Sequence, residues 1–512
     1  MLQNRARTSL RRIAPGELER VANVVYIATV AETRANAERG MWWAIGLIAL
    51  LAAGKVILAD TMDPDAFWHL RVADQLLSEG IKPIVDTISF ASIKEPWTPY
   101  SWLGELFMHA VWQLGGHTLA SLITALCSAG IVLFIARACR ARTNNLVAVI
   151  ICTLVGAYFT LPFISFRPVT FALLLMAILL ERLARPSRHN AWLVPLLLLV
   201  MTNVHLYAGV CAVLVVIRAV VTRFESKEHA KREWMTAALA VLAVCCTPML
   251  SGAIDTAMHY NRADPMVAAN FIAEMRPFYW GWMGKITLTI VIACAVVMWL
   301  QRRRVSLVDC LWFGIATLLL FRLGRFSPVF AIIAMPIIAG LLPRMSCTVL
   351  SRRVLHAAIA GVLVLGIARL ALTLAERQPL DAWLNRNIAT YPTAAADYVQ
   401  QHVKPRYGQL INEFNWGGYL GWRLGDSYQV LMDGRTQLFT PDFWNSTHLG
   451  DEASRTALLK TFLADVAIVP AQRSAFAGSL ASLGWQQVYA DDVAVVLVPP
   501  NRLVKTSLQT RQ

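Results

Sequence analysis

The sequence predicts a polytopic α-helical membrane protein of about eleven spans that ends in a water-soluble α/β domain. Three observations carry that expectation. The chain is 57% hydrophobic and 15% charged, with mean hydropathy +0.51. A soluble chain of 512 residues could not hide so much apolar surface in ordinary domain cores. The apolar residues also cluster: runs such as 117–136 and 354–374 reach the ~20 residues a helix needs to cross ~30 Å of hydrocarbon. Finally, the basic residues sit in short clusters between these runs, the pattern of cytoplasmic loops. That distribution argues against nucleic acid as the reason for the net charge of +15.

The basic clusters orient the chain. Residues 1–40 carry many Arg, including Arg5, Arg7, Arg11 and Arg12, and no Lys. Further clusters lie at 137–142, 181–188, 223–232, 301–304 and 343–353. Placing all six in the cytoplasm gives a consistent path through spans near 42–59, 117–137, 146–165, 168–184, 191–205, 206–222, 234–250, 284–300, 307–321, 326–342 and 354–374. The N-terminus is then cytoplasmic and the C-terminal domain extracytoplasmic. The first 40 residues lack the apolar core of a signal peptide, so the first long apolar run is expected to direct insertion. All nine cysteines fall in expected spans or at their cytoplasmic edges, so no disulfide framework is expected outside. No CxxC and no Cys/His spacing suited to zinc occurs.

Three parts follow. Residues 1–41 form a basic cytoplasmic arm, either an amphipathic helix near 16–35 lying on the membrane or a solvated tail. Residues 42–375 form the membrane domain, with a long extracytoplasmic loop at 60–116. Residues 376–512 form the soluble domain. There 394–403 and 454–464 have helical spacing, while 407–413, 428–434, 466–470 and 493–500 look like strands. NWGG (415–418) and DGR (433–435) are expected at turns, and no phosphate loop or nucleophile elbow occurs. The soluble domain therefore reads as a recognition or scaffolding module.

The chemistry is expected at the loop between the first two spans. Asp63 and Asp65 stand just beyond the first span, where a carboxyl pKa can rise or a divalent cation can be held. His69 and Arg71 follow on a short amphipathic helix, and Glu105 closes the aromatic stretch 86–105. Under the proposed topology, other polar groups gather at the same membrane face: Arg167, Asn203, His205, Glu274, Arg276, Arg322 and Arg325. Ionisable groups at membrane depth are expensive and usually line a functional cavity. Guanidinium groups facing an acidic loop suit an anionic, phosphate-bearing substrate.

At this point the residues resemble a known superfamily. An acidic motif opening the first extracytoplasmic loop, followed by an aromatic-rich helix, is similar to the GT-C membrane glycosyltransferases. These include protein O-mannosyltransferases, aminoarabinose transferases and the catalytic subunit of oligosaccharyltransferase. The run DPDAFWHLR (63–71) resembles the oligosaccharyltransferase-type start. Matching on Arg71 carries the catalytic Asp of that family onto Asp65, with Asp63 as the alternative. More closely, DPDAFWHL, NVH (203–205), WGGYL (416–420) and DGR resemble a set of bacterial membrane proteins with that layout over most of residues 55–500. The DExR-like motif of the aminoarabinose and mannosyl enzymes and a WWD-like motif are missing. Donor identity and any need for Mg2+ or Mn2+ are therefore left open.

The resemblance implies transfer of a sugar from a polyprenyl-phosphate donor in the membrane lipid to a glycan, lipid or protein acceptor at the outer face. The expected setting is the bacterial inner (cytoplasmic) membrane, serving the cell envelope. Asp65 or Asp63 would act as general base, and the Arg and His groups would hold the lipid phosphate. The alternative is a non-enzymatic lipid-glycan transporter or envelope assembly factor. A transporter is expected to show internal repeats and paired broken helices near the midplane, and no obvious repeat is visible. The topology has a direct check: a reporter fused after Arg142 should report cytoplasm, and one fused after Pro500 the extracytoplasmic side. A cytoplasmic signal at Pro500 would overturn the path.

Overall fold

The computed structural model describes residues 15–58, 62–185, 187–225, 227–261, 264–343, 391–472 and 474–500, with isolated positions between 360 and 371. Among the described residues, six helices are long and apolar enough to cross a membrane, or seven if one bent pair counts as a span. The expected count of eleven is thus not confirmed among the described residues. Apolar helices do form at Pro168–Ala184, Asn190–Thr202 and Leu307–Arg322, but they have 17, 13 and 16 residues. At 1.5 Å per residue such helices fall short of ~30 Å of hydrocarbon. The helix over the span expected at 234–250 ends at Cys245, and the next, bent from it by 91°, begins at Leu250. The span expected at 354–374 lies largely outside the described residues.

The first helix, Pro15–Leu58, is continuous for 44 residues, so the region at 16–35, read as either a surface helix or a solvated tail, is helical and runs straight into the first expected span. The second long helix, Trp102–Arg142, breaks at Gly115 and Gly116, where φ at Gly116 is +54°. Only glycine adopts that backbone at little cost. The break separates residues 102–114 from the span expected at 117–137. Several helices share one polarity. The N-terminal ends of Trp102–Arg142 and Pro168–Ala184 face the first loop. Their C-terminal ends carry the basic clusters. There Arg137, Arg182 and Arg185 all pair with the fully buried Glu181, at 3.0–3.1 Å.

The C-terminal domain is α/β as expected. Five strands, β1 (Gln409–Asn412), β2 (Gln429–Val430), β3 (Val466–Pro470), β4 (Gln486–Ala490) and β5 (Ala494–Val498), form one sheet in the order β2-β1-β3-β5-β4. β1 is parallel to β2 and β3, whereas β5 is antiparallel to β3 and β4. β4, with the pattern exposed-exposed-exposed-half-buried-exposed, lacks the apolar run that marks the other strands, so the sequence did not reveal it. β3 alternates faces as a strand must. Val466 and Ile468 join the core that continues into the membrane helices, while Ala467 and Val469 face a second core around Trp444 and Phe476.

The first loop and the C-terminal domain form one body. Phe90 N donates to Val430 O, and Val430 N donates to Ile88 O, both at 2.9 Å, so the loop extends the sheet at β2. Phe67, fully buried on helix Pro64–Glu79, meets Tyr391, Tyr419 and Trp422 at ring-centroid distances of 5.2–5.5 Å. NWGG is not a turn: it ends a 3-10 turn and starts helix Gly417–Arg423. A Cβ at Gly418 would overlap the Pro64 carbonyl oxygen, and one at Gly434 would overlap the Asp65 carboxylate. Glycine is required at both positions for space, not for backbone conformation. Gly418→Ala should therefore force the domain off the loop and cost about 1–3 kcal/mol by overpacking. Thermal unfolding in detergent and limited proteolysis would read this. An unchanged Tm with unchanged protease resistance would contradict the close docking.

Candidate active site

Three parts of the chain close around a cavity of about 610 Å³: the first loop, the helix ends of the membrane domain, and the C-terminal domain. Nine of the twelve residues singled out from the sequence line it: Asp63, Asp65, His69, Glu105, Arg167, His205, Glu274, Arg276 and Arg325. Three do not. Arg71 pairs with the exposed Asp426 at 3.1 Å, on the outside of helix Pro64–Glu79. Asn203 accepts from Trp102 Nε1 at 2.8 Å and ties two helix ends together. Arg322 donates to the Tyr260 carbonyl at 3.2 Å.

The two aspartates have different jobs. Asp63 is the N-cap of helix Pro64–Glu79: its backbone is extended and its side chain accepts from Asp65 N at 3.0 Å. The helix-capping role thus belongs to Asp63 and not to Asp65. Asp65 turns into the cavity. Its Oδ1 accepts from Trp68 Nε1 at 2.9 Å and its Oδ2 from Arg167 Nη1 at 3.0 Å. Its side chain remains 29% exposed, at the cavity floor. Burial, reinforced by the neighbouring Asp63 and Glu274, pushes its carboxyl up to about 6 against the opposing pull of Arg167 and Trp68.

Arg167 is at the centre of the acidic groups. Its three nitrogens face Asp63 Oδ2 at 3.2 Å, Asp65 Oδ2 at 3.0 Å and Glu274 Oε2 at 3.0 Å. It precedes Pro168, which opens the next helix and disfavours a helical backbone at the residue before it. Arg167 is accordingly extended, with φ −143° and ψ 157°. Its Nε also donates to Ser165 Oγ at 2.9 Å. Burial alone would raise the Glu274 carboxyl, but Arg167 and Arg325 hold it down to about 2. Arg325 stands 3.7 Å from Glu274 and over the Tyr260 ring, whereas Arg276 is exposed and donates to the Asn270 carbonyl at 2.8 Å.

His69 Nδ1 shares a hydrogen bond with Glu105 Oε1 at 3.0 Å, and both side chains are buried. Burial first, and nearby Arg167, His205 and Arg435 next, hold the imidazole well below its usual pKa, so it is neutral. No three His, Cys, Asp or Glu side chains among the described residues converge to hold a metal ion. The carboxylates that do converge, those of Asp63, Asp65 and Glu274, meet on Arg167 instead.

Sequence reading missed the contribution of DGR. Asp433 and Arg435 are not in a solvated turn; both are fully buried. Arg435 pairs with Asp433 at 2.6 Å and with Asp86 of the first loop at 2.8 Å, and it lies over the rings of Trp68 and Trp97. It also lines the cavity, as do Tyr100 and Tyr260. The available signal was chemical: an Asp and an Arg ending an apolar run, with Asp86 inside the aromatic-rich stretch of the loop. Nothing in their spacing linked two segments some 350 positions apart.

No protein family matches the chain, and no curated protein matches it in sequence. Its structure is similar to archaeal oligosaccharyltransferase AglB from Archaeoglobus fulgidus in complex with an inhibitory peptide and a dolichol-phosphate. The TM-score is 0.51 at 10% identity, over 84% of this chain and 69% of that one. The fold is GT-C-like. The Archaeoglobus fulgidus oligosaccharyltransferase tethered to an acceptor peptide containing the NVT sequon gives a TM-score of 0.53, with the same identity and coverage. The likeness covers 84% of this chain. At 10% identity it speaks for the fold and assigns no residue a role.

The separate duties of the two aspartates can be tested in folded protein. Asp63→Ala should lower stability by roughly 0.5–2 kcal/mol, the usual cost of a lost N-cap, and Asp63→Asn should restore most of it. Thermal unfolding of both variants checks this. Equal losses in Asn and Ala would remove the cap from the account.

Proposed function

We propose that this chain is a membrane glycosyltransferase. It moves a sugar from a polyprenyl-phosphate-linked donor to a hydroxyl or amide acceptor at the extracytoplasmic face of a bacterial inner membrane, in service of the cell envelope. The observation that carries the reading is Asp65. It is a carboxylate with a raised pKa on the floor of a large polar cavity, at the junction of loop, membrane helices and C-terminal domain. The GT-C-like fold supports the reaction class.

The chemistry balances as a single displacement. Asp65 accepts the proton of the acceptor as its oxygen or nitrogen attacks the anomeric carbon. The bond from that carbon to the phosphate oxygen breaks, and the lipid phosphate leaves with the electron pair. A pKa near 6 suits a base that must be ionised at neutral pH yet still hold a proton. Both Asp65 oxygens already accept one hydrogen bond, but each has a second lone-pair site for the acceptor. Arg325 and Arg276, at the cavity wall, supply guanidinium donors for the phosphate. The neutral His69 adds a polar group without adding charge.

The test is release of polyprenyl phosphate from labelled lipid-linked sugars by the purified chain. Asp65→Asn keeps shape and hydrogen bonding but removes the base, so turnover should fall by roughly 10²–10⁴ with donor binding largely retained. In the wild type, kcat/KM should rise with pH through about 6 as Asp65 loses its proton, and that limb should vanish in the variant. Near-normal turnover in a folded Asp65→Asn protein would end its assignment as base. Donor binding without any release in the wild type would favour the transporter reading.

A further inference from the structure

Asp63, Asp65 and Glu274 come from two separate segments and converge in the cavity, as carboxylates do around a divalent cation. Here a side chain occupies the point of convergence. Each of the three guanidinium nitrogens of Arg167 serves a different carboxylate, at 3.0–3.2 Å. The geometry points to Arg167 as a built-in cation that takes the place of a divalent metal, so that sugar transfer by this chain, on the reading above, needs no metal.

Two physical arguments support this. The first is charge. Three carboxylates face Arg167, with Arg325 against the far oxygen of Glu274. The acidic cluster is already largely compensated, and an added dication would sit beside two fixed guanidinium groups. The second is size and mounting. The carboxylates stand at hydrogen-bond distance from a planar fork, wider than the about 2.0–2.1 Å shell that Mg2+ demands. A metal would have to evict Arg167. Eviction is opposed by the extended backbone before Pro168, by the hydrogen bond to Ser165 Oγ and by burial, since only 11% of the side chain is exposed. A guanidinium has five N–H donors and, among the described residues, Arg167 uses three. The remaining two are available to an anionic oxygen of the substrate, where a metal would otherwise act as Lewis acid.

The experiment titrates MnCl2 into the full-length protein in detergent, following free Mn2+ by electron paramagnetic resonance and stability by Tm. The wild type should show no Mn2+ site that depends on these carboxylates, and EDTA should leave both its Tm and its turnover unchanged. Arg167→Ala, with its carboxylates uncompensated, should gain one Mn2+ site and a rise in Tm on adding Mn2+. Both gains should be lost when Glu274→Gln is added. Arg167→Gln, nearer in size, serves the same purpose if the alanine variant does not fold. A wild-type Mn2+ site abolished by Glu274→Gln would overturn the assignment, as would a folded Arg167 variant that gains no site. The Mn2+ titration is independent of catalysis. A protein that releases no lipid phosphate but shows the expected titration would lose the transferase reading and keep the built-in cation.

Discussion

Residues 414–435 lie against residues 62–97, and the buried triad Asp86–Arg435–Asp433 ties the two segments together. The rest of the cavity depends on this contact. A charged group with no exposed surface is tolerated only when paired and hydrogen-bonded. Asp86 accepts from Ile88 N and Ser89 N, and Asp433 accepts from Ser89 Oγ, so the carboxylates are satisfied by the same loop they anchor. Taking away Arg435 would leave two buried carboxylates without their counter-charge. The triad thereby fixes the register between loop and domain, and that register brings Gly434 against Asp65.

The cavity built on this contact contains charges of both signs in a fixed order. Arg435 is held by two aspartates at one wall, while Arg167 is held by three carboxylates on the floor. Asp65 is the member whose burial outweighs its pairing, and its carboxyl rises as a result; Glu274 is the one whose pairing outweighs its burial, and its carboxyl falls. Two carboxylates that both touch the same guanidinium thus end on opposite sides of their ordinary values, one chiefly through burial and the other through pairing. Such divergence separates a group able to exchange a proton from one that serves as a permanent charge.

The helix ends explain how a membrane protein can hold such a site. The charged groups lie at the ends of Trp102–Arg142 and Pro168–Ala184 and on loops, not in the middle of spans. Non-helical backbone and ionisable groups are affordable there because the C-terminal domain covers them and the cavity admits water. The basic clusters lie at the opposite ends, where Arg137, Arg182 and Arg185 gather around Glu181.

Composition and run length determined the membrane class, and local periodicity determined most helices and four of the five strands, because burial in lipid or in a sheet leaves a local record in the sequence. The sequence also marked Asp63, Asp65, Arg167, Glu274 and Arg325 as unusual, since charge beside apolar runs is costly wherever it occurs. It did not give the number of full spans, because a run of apolar residues does not reveal where a helix bends or stops short, as at 234–250. Nor did it separate the duties of Asp63 and Asp65, which differ only in which way each side chain turns at the start of one helix. Above all, it could not assign DGR to the cavity or show that Arg167 sits among three carboxylates. Those facts are contacts between segments more than 100 residues apart, and only the tertiary packing that buries Gly418 and Gly434 against the first loop brings them into being.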